Sequence, residues 1–404
     1  MKNAIMYGGG NIGRGFIGML LSQSGYRVSF VDVAKPVIEA LNSKGSYPVR
    51  IISGDGHRDI AVENVCAIDG NNSGAVAQAI AKADIMATAV GVNVLKFIIP
   101  NLVAGIRLRM QQGGGPLNII ICENLMDANK VIEGMLKAHL SEEEQVWFDE
   151  NIGLVEASIG RMVPVQTEEM KDGDPMRVCV ESYGFLPVDK DAFKGEIPEI
   201  RNMVPFSPFD FYLKRKLYIH NMGHATCAYL GDLLELPFIY QAIDVSEIYI
   251  IVKNAMEESA VALSKKYGVS LGDVLAHIND LLQRFTNAAL QDTCQRVGGD
   301  PTRKLSPQDR LIGSSSLALE MGVTPAHIAI GAAAGLHRYL KEAGTAQSVT
   351  AAAEVLAQVS GLAADSKLAA LILGMYEKIL SGADLKALQK AAAAITAAAN
   401  SNVI

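Results

Sequence analysis

The sequence predicts a two-part α/β chain, in which a doubly wound parallel sheet with added strands is followed by a mostly α-helical C-terminal domain. Three observations predict it. Up to about residue 125, short apolar runs alternate with helix-period segments. From about Phe209 onward, long amphipathic stretches take over, and no proline follows Pro325. At 404 residues the chain exceeds what one ordinary core fills, and the expected division is 1–200 and 201–404.

Taken in order, residues 4–7, 28–31, 85–90 and 117–122 read as strands. Asn118-Ile119-Ile120-Ile121-Cys122 is almost continuously apolar, as a strand covered on both faces should be. Gly113-Gly114-Gly115-Pro116 is the loop before it. Between about 150 and 200, runs such as Met176-Arg177-Val178-Cys179-Val180-Glu181, with Pro164, Pro175 and Pro187 interspersed, read as added strands and the connection to the second half. Residues 245–267, 271–284, 326–343 and 366–380 then carry helical periodicity. The Ala-rich tract 385–400 has high helix propensity but a weak apolar stripe, so a poorly docked surface helix is expected there.

Composition excludes some functions. A net charge of -7 argues against a nucleic-acid partner, which needs clustered excess Lys and Arg. The five cysteines stand singly, without CxxC spacing, which suits free thiols in a reducing compartment and indicates neither a zinc nor an iron–sulfur site. Neither a secretory leader nor an uninterrupted apolar stretch of about 18 residues is evident, so a soluble cytoplasmic protein is expected.

Gly8-Gly9-Gly10-Asn11-Ile12-Gly13 matches G-x-G-x-x-G, directly after the first strand and before a helical run. Gly8 permits the tight turn, Gly10 lets a pyrophosphate approach the backbone, and Gly13 lets the helix pack on the strand, while the helix N-terminus offers free N–H groups to phosphate. This is the Rossmann-type dinucleotide signature. Asp32 ends the second strand about 20 residues later, placed to accept hydrogen bonds from an adenosine ribose. Val33 and Ala34 supply no arginine for a 2′-phosphate, so NAD is expected over NADP despite Lys35. Ala89, Val90 and Gly91, and Glu123 and Asn124, are expected at the carboxyl edge of the sheet near the nicotinamide.

Hydride transfer between nicotinamide and an alcohol needs a base for the hydroxyl proton and a polarising group for the oxygen. Residues 214–224 hold the densest set of candidates: Lys214-Arg215-Lys216-Leu217-Tyr218-Ile219-His220-Asn221-Met222-Gly223-His224. On an α-helix Lys216, Asn221 and His224 fall at about 0°, 140° and 80°, on one broad face. A partly desolvated lysine among other cations suits a general base, with Asn221 and His224 holding the oxygen.

K-x4-N-x2-H is the mark of the polyol-specific long-chain dehydrogenase (mannitol dehydrogenase) family, which this chain resembles over most of its length. The likeness also runs through Gly8 to Gly18, Ala89-Val90-Gly91, Cys122-Glu123-Asn124, Lys216 to Gly231, Met256-Glu257-Glu258-Ser259, Arg296-Val297-Gly298 with Pro301, Arg303-Lys304-Leu305-Ser306 and Asp309-Arg310-Leu311. The resemblance implies metal-independent, reversible oxidation of a sugar alcohol with NAD, here mannitol 1-phosphate to fructose 6-phosphate, with Lys216 as acid/base and Asn221 and His224 polarising the oxygen. Independently, Arg296, Arg303, Lys304 and Arg310 concentrate charge suited to a phosphate, unless Asp300 and Asp309 neutralise it as structural partners.

Two residues depart from the family pattern. Gly160 stands where relatives carry the aspartate of D-R-x-x-P, and Leu213 and Lys214 stand where some carry a proton-relaying glutamate. Rival readings are a family reductase for a hexuronate or an unphosphorylated ketose, and a non-catalytic NAD-binding sensor. Tyr212-x3-Lys216 superficially suggests a short-chain dehydrogenase, but the glycine spacing and the helical half disagree. The β-hydroxyacid dehydrogenases share the two-part plan, yet their lysine precedes the asparagine by four residues and not five.

Overall fold

In the computed structural model, which describes residues 1–401 apart from Asp55 and Ala364, the apolar runs of the first half form strands β1 (Lys2–Tyr7), β2 (Tyr26–Asp32), β3 (Ser46–Ser53), β4 (Gly56–Glu63), β5 (Val65–Asp69), β6 (Ile85–Thr88), β7 (Leu117–Ile121) and β8 (Ile152–Glu156). Six of them make a parallel sheet in the order β5-β2-β1-β6-β7-β8. Alternate residues of a strand face opposite sides. Accordingly Ala4 and Met6 enter one apolar core with Phe16, Phe30 and Val178, whereas Ile5 and Tyr7 enter a second core with Ile80, Ile99 and Ile132.

The added strands are β9 (Val178–Glu181), β10 (Leu186–Asp189) and β11 (Met203–Phe206). β9 pairs in parallel with β3, whose other edge carries the antiparallel β4, and β10 pairs with β11. The hairpin β3–β4 escapes the sequence reading because β4 is exposed at nearly every position and has no apolar stripe to betray it.

Contacts divide the chain into two compact units, Met1–Phe209 and Asp210–Ile404. The second is built of helices, among them Met222–Leu233, Ser246–Tyr267, Leu271–Phe285, Ala326–Glu342, Lys367–Leu380 and Leu385–Ser401. Helices Met222–Leu233 and Ala326–Glu342 pack closely because Gly331 and Gly335 leave room for Thr226 and Tyr229. The last helix corrects an expectation. It docks on helices Ala326–Glu342 and Ser246–Tyr267, burying Leu385, Leu388 and Ala392. Two leucines and one alanine on a shared face suffice where neighbouring helices are themselves rich in alanine.

Candidate active site

The glycine loop sits where the sheet reverses direction. From β1 the chain proceeds outward to β2 and β5, then returns to β6 on the other side, so the carboxyl ends of β1 and β6 flank a topological switch point. Gly8 follows β1 with φ +105°, and a Cβ there would stand 2.4 Å from the carbonyl oxygen of Ala89, just past β6. Gly13 is equally confined, since its Cβ would lie 2.0 Å from Gly8 O, whereas around Gly10 nothing lies within 4 Å. Tight packing at Gly8 and Gly13 with clearance at Gly10 is the cradle a pyrophosphate requires. Exposed Asn11 and half-buried Ile12 open the helix that begins there.

Charged side chains fix the loops of this cradle. Asp32 Oδ2 accepts the N–H of Gly9 at 2.6 Å, and Oδ1 accepts those of Val33 and Ala34 at 2.8 and 2.9 Å. A carboxylate has about four acceptor sites, so one stays open to a ribose hydroxyl. Glu123 accepts the N–H of Val90 on Oε1 at 2.9 Å and that of Gly91 on Oε2 at 2.8 Å. This bidentate grip ends β6 at Thr88, two residues earlier than the apolar run suggests. Asn124, beside it, is exposed. The sequence reading placed Glu123 at this edge but not its grip on residues 90–91.

The opposite side of the glycine helix is buttressed from far along the chain. Arg14 donates to Gly9 O at 2.7 Å and also to Met176 O. Arg161 lies over the Phe16 ring at 4.7 Å and donates to Gly15 O at 2.9 Å and to Tyr183 O. A Cβ on Gly160 would stand 3.0 Å from the Tyr183 ring. An aspartate at 160 would therefore crowd Tyr183, and Arg161 is anchored by main-chain carbonyls.

In the second unit Lys216–Asn221 is wound as a π-helix between helices Asp210–Arg215 and Met222–Leu233. This corrects the uniform α-helical angles. With i→i+5 bonding, residues five apart lie nearly above one another, so Lys216 and Asn221 are closer in azimuth than α geometry allows, and such turns recur at functional sites. Lys216, Asn221 and His224 are all half-buried. The His224 ring stacks on Phe285, with centroids 4.8 Å apart and planes at 20°. Its Nε2 stands 3.2 Å from Asp292 Oδ2, within ion-pair reach but off the hydrogen-bond line. Burial alone would raise the Asp292 carboxyl, but His224 and Arg296 outweigh it and hold it below the ordinary carboxylate value. His220 is pushed far down by burial, with Arg284 and Lys216 adding to it, and so stays neutral. Neither Phe285 nor Asp292 carries a local sequence signal, because only folding brings them to His224.

The candidate phosphate residues are ion-paired. Arg303 pairs with Asp300 at 2.8 Å and Asp309 at 3.4 Å, Arg310 with Asp309 at 2.7 Å, and Arg296 with Asp292. Lys304 is buried, donates to Val297 O at 2.6 Å and to Gly299 O, and is pushed down to about 8 by burial and the nearby Arg310 and Arg303. Four cations face three carboxylates, and Arg303 is the most exposed of those proposed to meet a phosphate. Among the described residues, no group of three or more His, Cys, Asp or Glu side chains is placed to hold a metal ion, and no helix is long and apolar enough to cross a membrane.

Comparison with known proteins bears on the fold. Among the solved structures that share it are two polyol dehydrogenases. A D-sorbitol dehydrogenase in substrate-free form superposes with a TM-score of 0.77 at 17% identity, covering 95% of this chain and 94% of that one. The Pseudomonas fluorescens mannitol 2-dehydrogenase, in a ternary complex with NAD and D-mannitol, gives 0.74 at 14% identity, covering 96% and 94%. Residues 2–202 match the mannitol dehydrogenase Rossmann domain and residues 209–401 the mannitol dehydrogenase C-terminal domain, so the chain belongs to the mannitol dehydrogenase family of polyol oxidoreductases.

Proposed function

We propose that the chain is a mannitol-1-phosphate 5-dehydrogenase, interconverting mannitol 1-phosphate and fructose 6-phosphate with NAD in the cytoplasm. The observation that carries the reading is the set Lys216, Asn221 and His224, the first two on the π-wound turn and the third in the first turn of the helix that follows it, in a member of a polyol dehydrogenase family. NAD is the dinucleotide: the Pseudomonas fluorescens relative binds it, and here Gly8, Gly10 and Gly13 leave the pyrophosphate its cradle while Asp32 keeps an acceptor for the ribose. Asn11, Ile12, Ala89, Val90, Gly91 and Asn124 complete its proposed surroundings.

NAD, held by these residues, would supply the hydride acceptor for the carbinol carbon. Lys216 Nζ takes the hydroxyl proton, and Asn221 and His224 hold the oxygen as it becomes a carbonyl. In reduction Lys216 returns the proton. The phosphate is assigned to Arg303, Lys304 and Arg310, with Arg303 exchanging a carboxylate partner for it.

The test offers NADH or NADPH with fructose 6-phosphate, fructose and a hexuronate, following loss of the reduced cofactor's absorbance. Turnover confined to NADH and the phosphorylated ketose is expected. Equal turnover of fructose or of the hexuronate would remove the phosphate from the reading, and no turnover with any ketose phosphate would favour a binding-only sensor. Lys216→Ala is expected to abolish turnover with NADH binding intact; a retained rate would move the base to His220 or His224.

A further inference from the structure

Asp292 is marked by no motif, yet its position is unusually well determined. Its main chain is pinned to residues 237–239: Ile239 N–H donates to Asp292 O at 2.9 Å, Cys294 N–H donates to Pro237 O at 2.9 Å, and Phe238 bridges Thr293. The short helix that follows, Cys294–Gly298, packs on helix Met222–Leu233, which carries His224. Its side chain is about nine-tenths buried, with Oδ2 3.2 Å from His224 Nε2 and Oδ1 accepting from Arg296 Nε at 2.9 Å. The His224 ring is stacked on Phe285, and its Nε2 is turned toward Asp292.

A neutral imidazole carries its proton on one nitrogen, and the partner of one nitrogen decides what the other offers. A carboxylate accepts and cannot donate. A hydrogen on Nε2 is what turns the 3.2 Å approach to Asp292 into an attraction. The misalignment of this contact is of the kind that tightens when substrate arrives.

We propose that Asp292 is the positioning residue of the reaction: it orients the His224 ring and fixes its Nε2 in the protonated form, so that the ring presents one defined arrangement to the substrate oxygen. The proposal rests on the assignment of His224 to the reacting oxygen made above. Arg296 on the far side holds the carboxylate ionised and in place.

A double-mutant cycle with mannitol 1-phosphate and NAD tests it. Asp292→Asn keeps the shape and removes the charge. Its kcat is expected to fall by a factor on the order of 10 to 100, the range seen where a carboxylate orients a metal-ligating histidine, with KM for both substrates within about twofold of wild type. In a His224→Gln background the same change is expected to cost less than about threefold, because its effect passes through the imidazole. An unchanged kcat in Asp292→Asn, or an equal loss in both backgrounds, overturns the proposal and leaves the role of His224 standing. A wild-type kcat in His224→Gln overturns that role, and this proposal with it. Should Asp292→Asn fail to fold, nitrogen-15 NMR of ring-labelled wild-type protein, with His224 assigned by difference from His224→Gln, decides alone: Nε2 protonated is expected, and Nε2 bare refutes it.

Discussion

Gly13→Ala and Gly10→Ala each add one methyl group, at positions three residues apart, and the structure predicts that only the first disturbs folding. At Gly13 the new Cβ would stand 2.0 Å from Gly8 O, where real Cβ contacts hold at least about 3.0 Å, so one side must retreat by about 1 Å. Gly8 has little freedom to do so, since its N–H donates to Val31 O at 2.9 Å and Ala89 O crowds it from β6. Overpacking of this kind costs about 1–3 kcal/mol. For a unit of this size that lowers Tm by about 2–12 °C. A 1 Å shift of the phosphate-facing turn should also weaken NADH binding, because the turn's N–H groups no longer meet the pyrophosphate. At Gly10 the methyl meets nothing within 4 Å, so Tm should stay within about 1 °C of wild type. NADH should weaken at Gly10→Ala as well, because the methyl occupies the space a pyrophosphate needs. Calorimetry gives the melting points and NADH fluorescence titration the affinities. Gly13→Ala with wild-type Tm, or Gly10→Ala with wild-type NADH affinity, would refute the reasoning.

Four further outcomes follow from particular contacts in the structure. Glu123→Ala frees the N–H groups of Val90 and Gly91, and losing hydrogen bonds to a charge, worth about 1.5–3 kcal/mol, should weaken NADH at least about tenfold by isothermal titration, with Glu123→Gln affected less. Glu258 accepts the N–H groups of His327 and Ile328 and pairs with His327 Nδ1 at 2.8 Å; Glu258→Ala should cost about 3–5 kcal/mol in urea unfolding. His277, pushed down to about 3 by burial and by Arg215 and Arg284, and His220, pushed well down by burial, are neutral in the folded chain. Above pH about 6.5 they are neutral unfolded as well and add nothing; below it the unfolded chain takes up their protons, so stability should fall toward low pH by about 1.4 kcal/mol per pH unit for each, and His277→Gln should flatten the slope seen by urea titration between about pH 7 and pH 5. Finally, Arg303→Ala should raise KM for fructose 6-phosphate about tenfold or more without changing KM for NADH; equal KM values for fructose 6-phosphate would release Arg303 from the phosphate.

What could be read in the sequence was whatever burial or local geometry writes into adjacent residues. β1, β2, β6 and β7 were legible because strands covered on both faces are apolar throughout, and Leu117–Ile121 is buried at every position. Likewise the glycine spacing is a local demand of one turn. The hairpin of β3 and β4 was not legible, since polar Arg58 and Asp59 lie on its exposed strand. Nor was the π winding of Lys216–Asn221, which inserts no breaker and changes no periodicity over so short a span. Lys216, Asn221 and His224 could be found by motif, but Phe285 and Asp292, which lie against the imidazole, are joined to it only through tertiary packing.

The buttressing of the glycine helix bears on how the protein comes off the ribosome. Gly15 has Val178 and Val180 against it, and Arg14 and Arg161 tie the same turn to residues 161–183. A nascent chain about 150 residues long has already made the phosphate loop and most of the central sheet, yet lacks β8, β9 and both arginine anchorages. At about 5–20 residues per second, synthesis of the missing stretch takes several seconds. During that interval the nucleotide cradle is unfinished, so NAD can stabilise this half of the protein only once translation has passed β9.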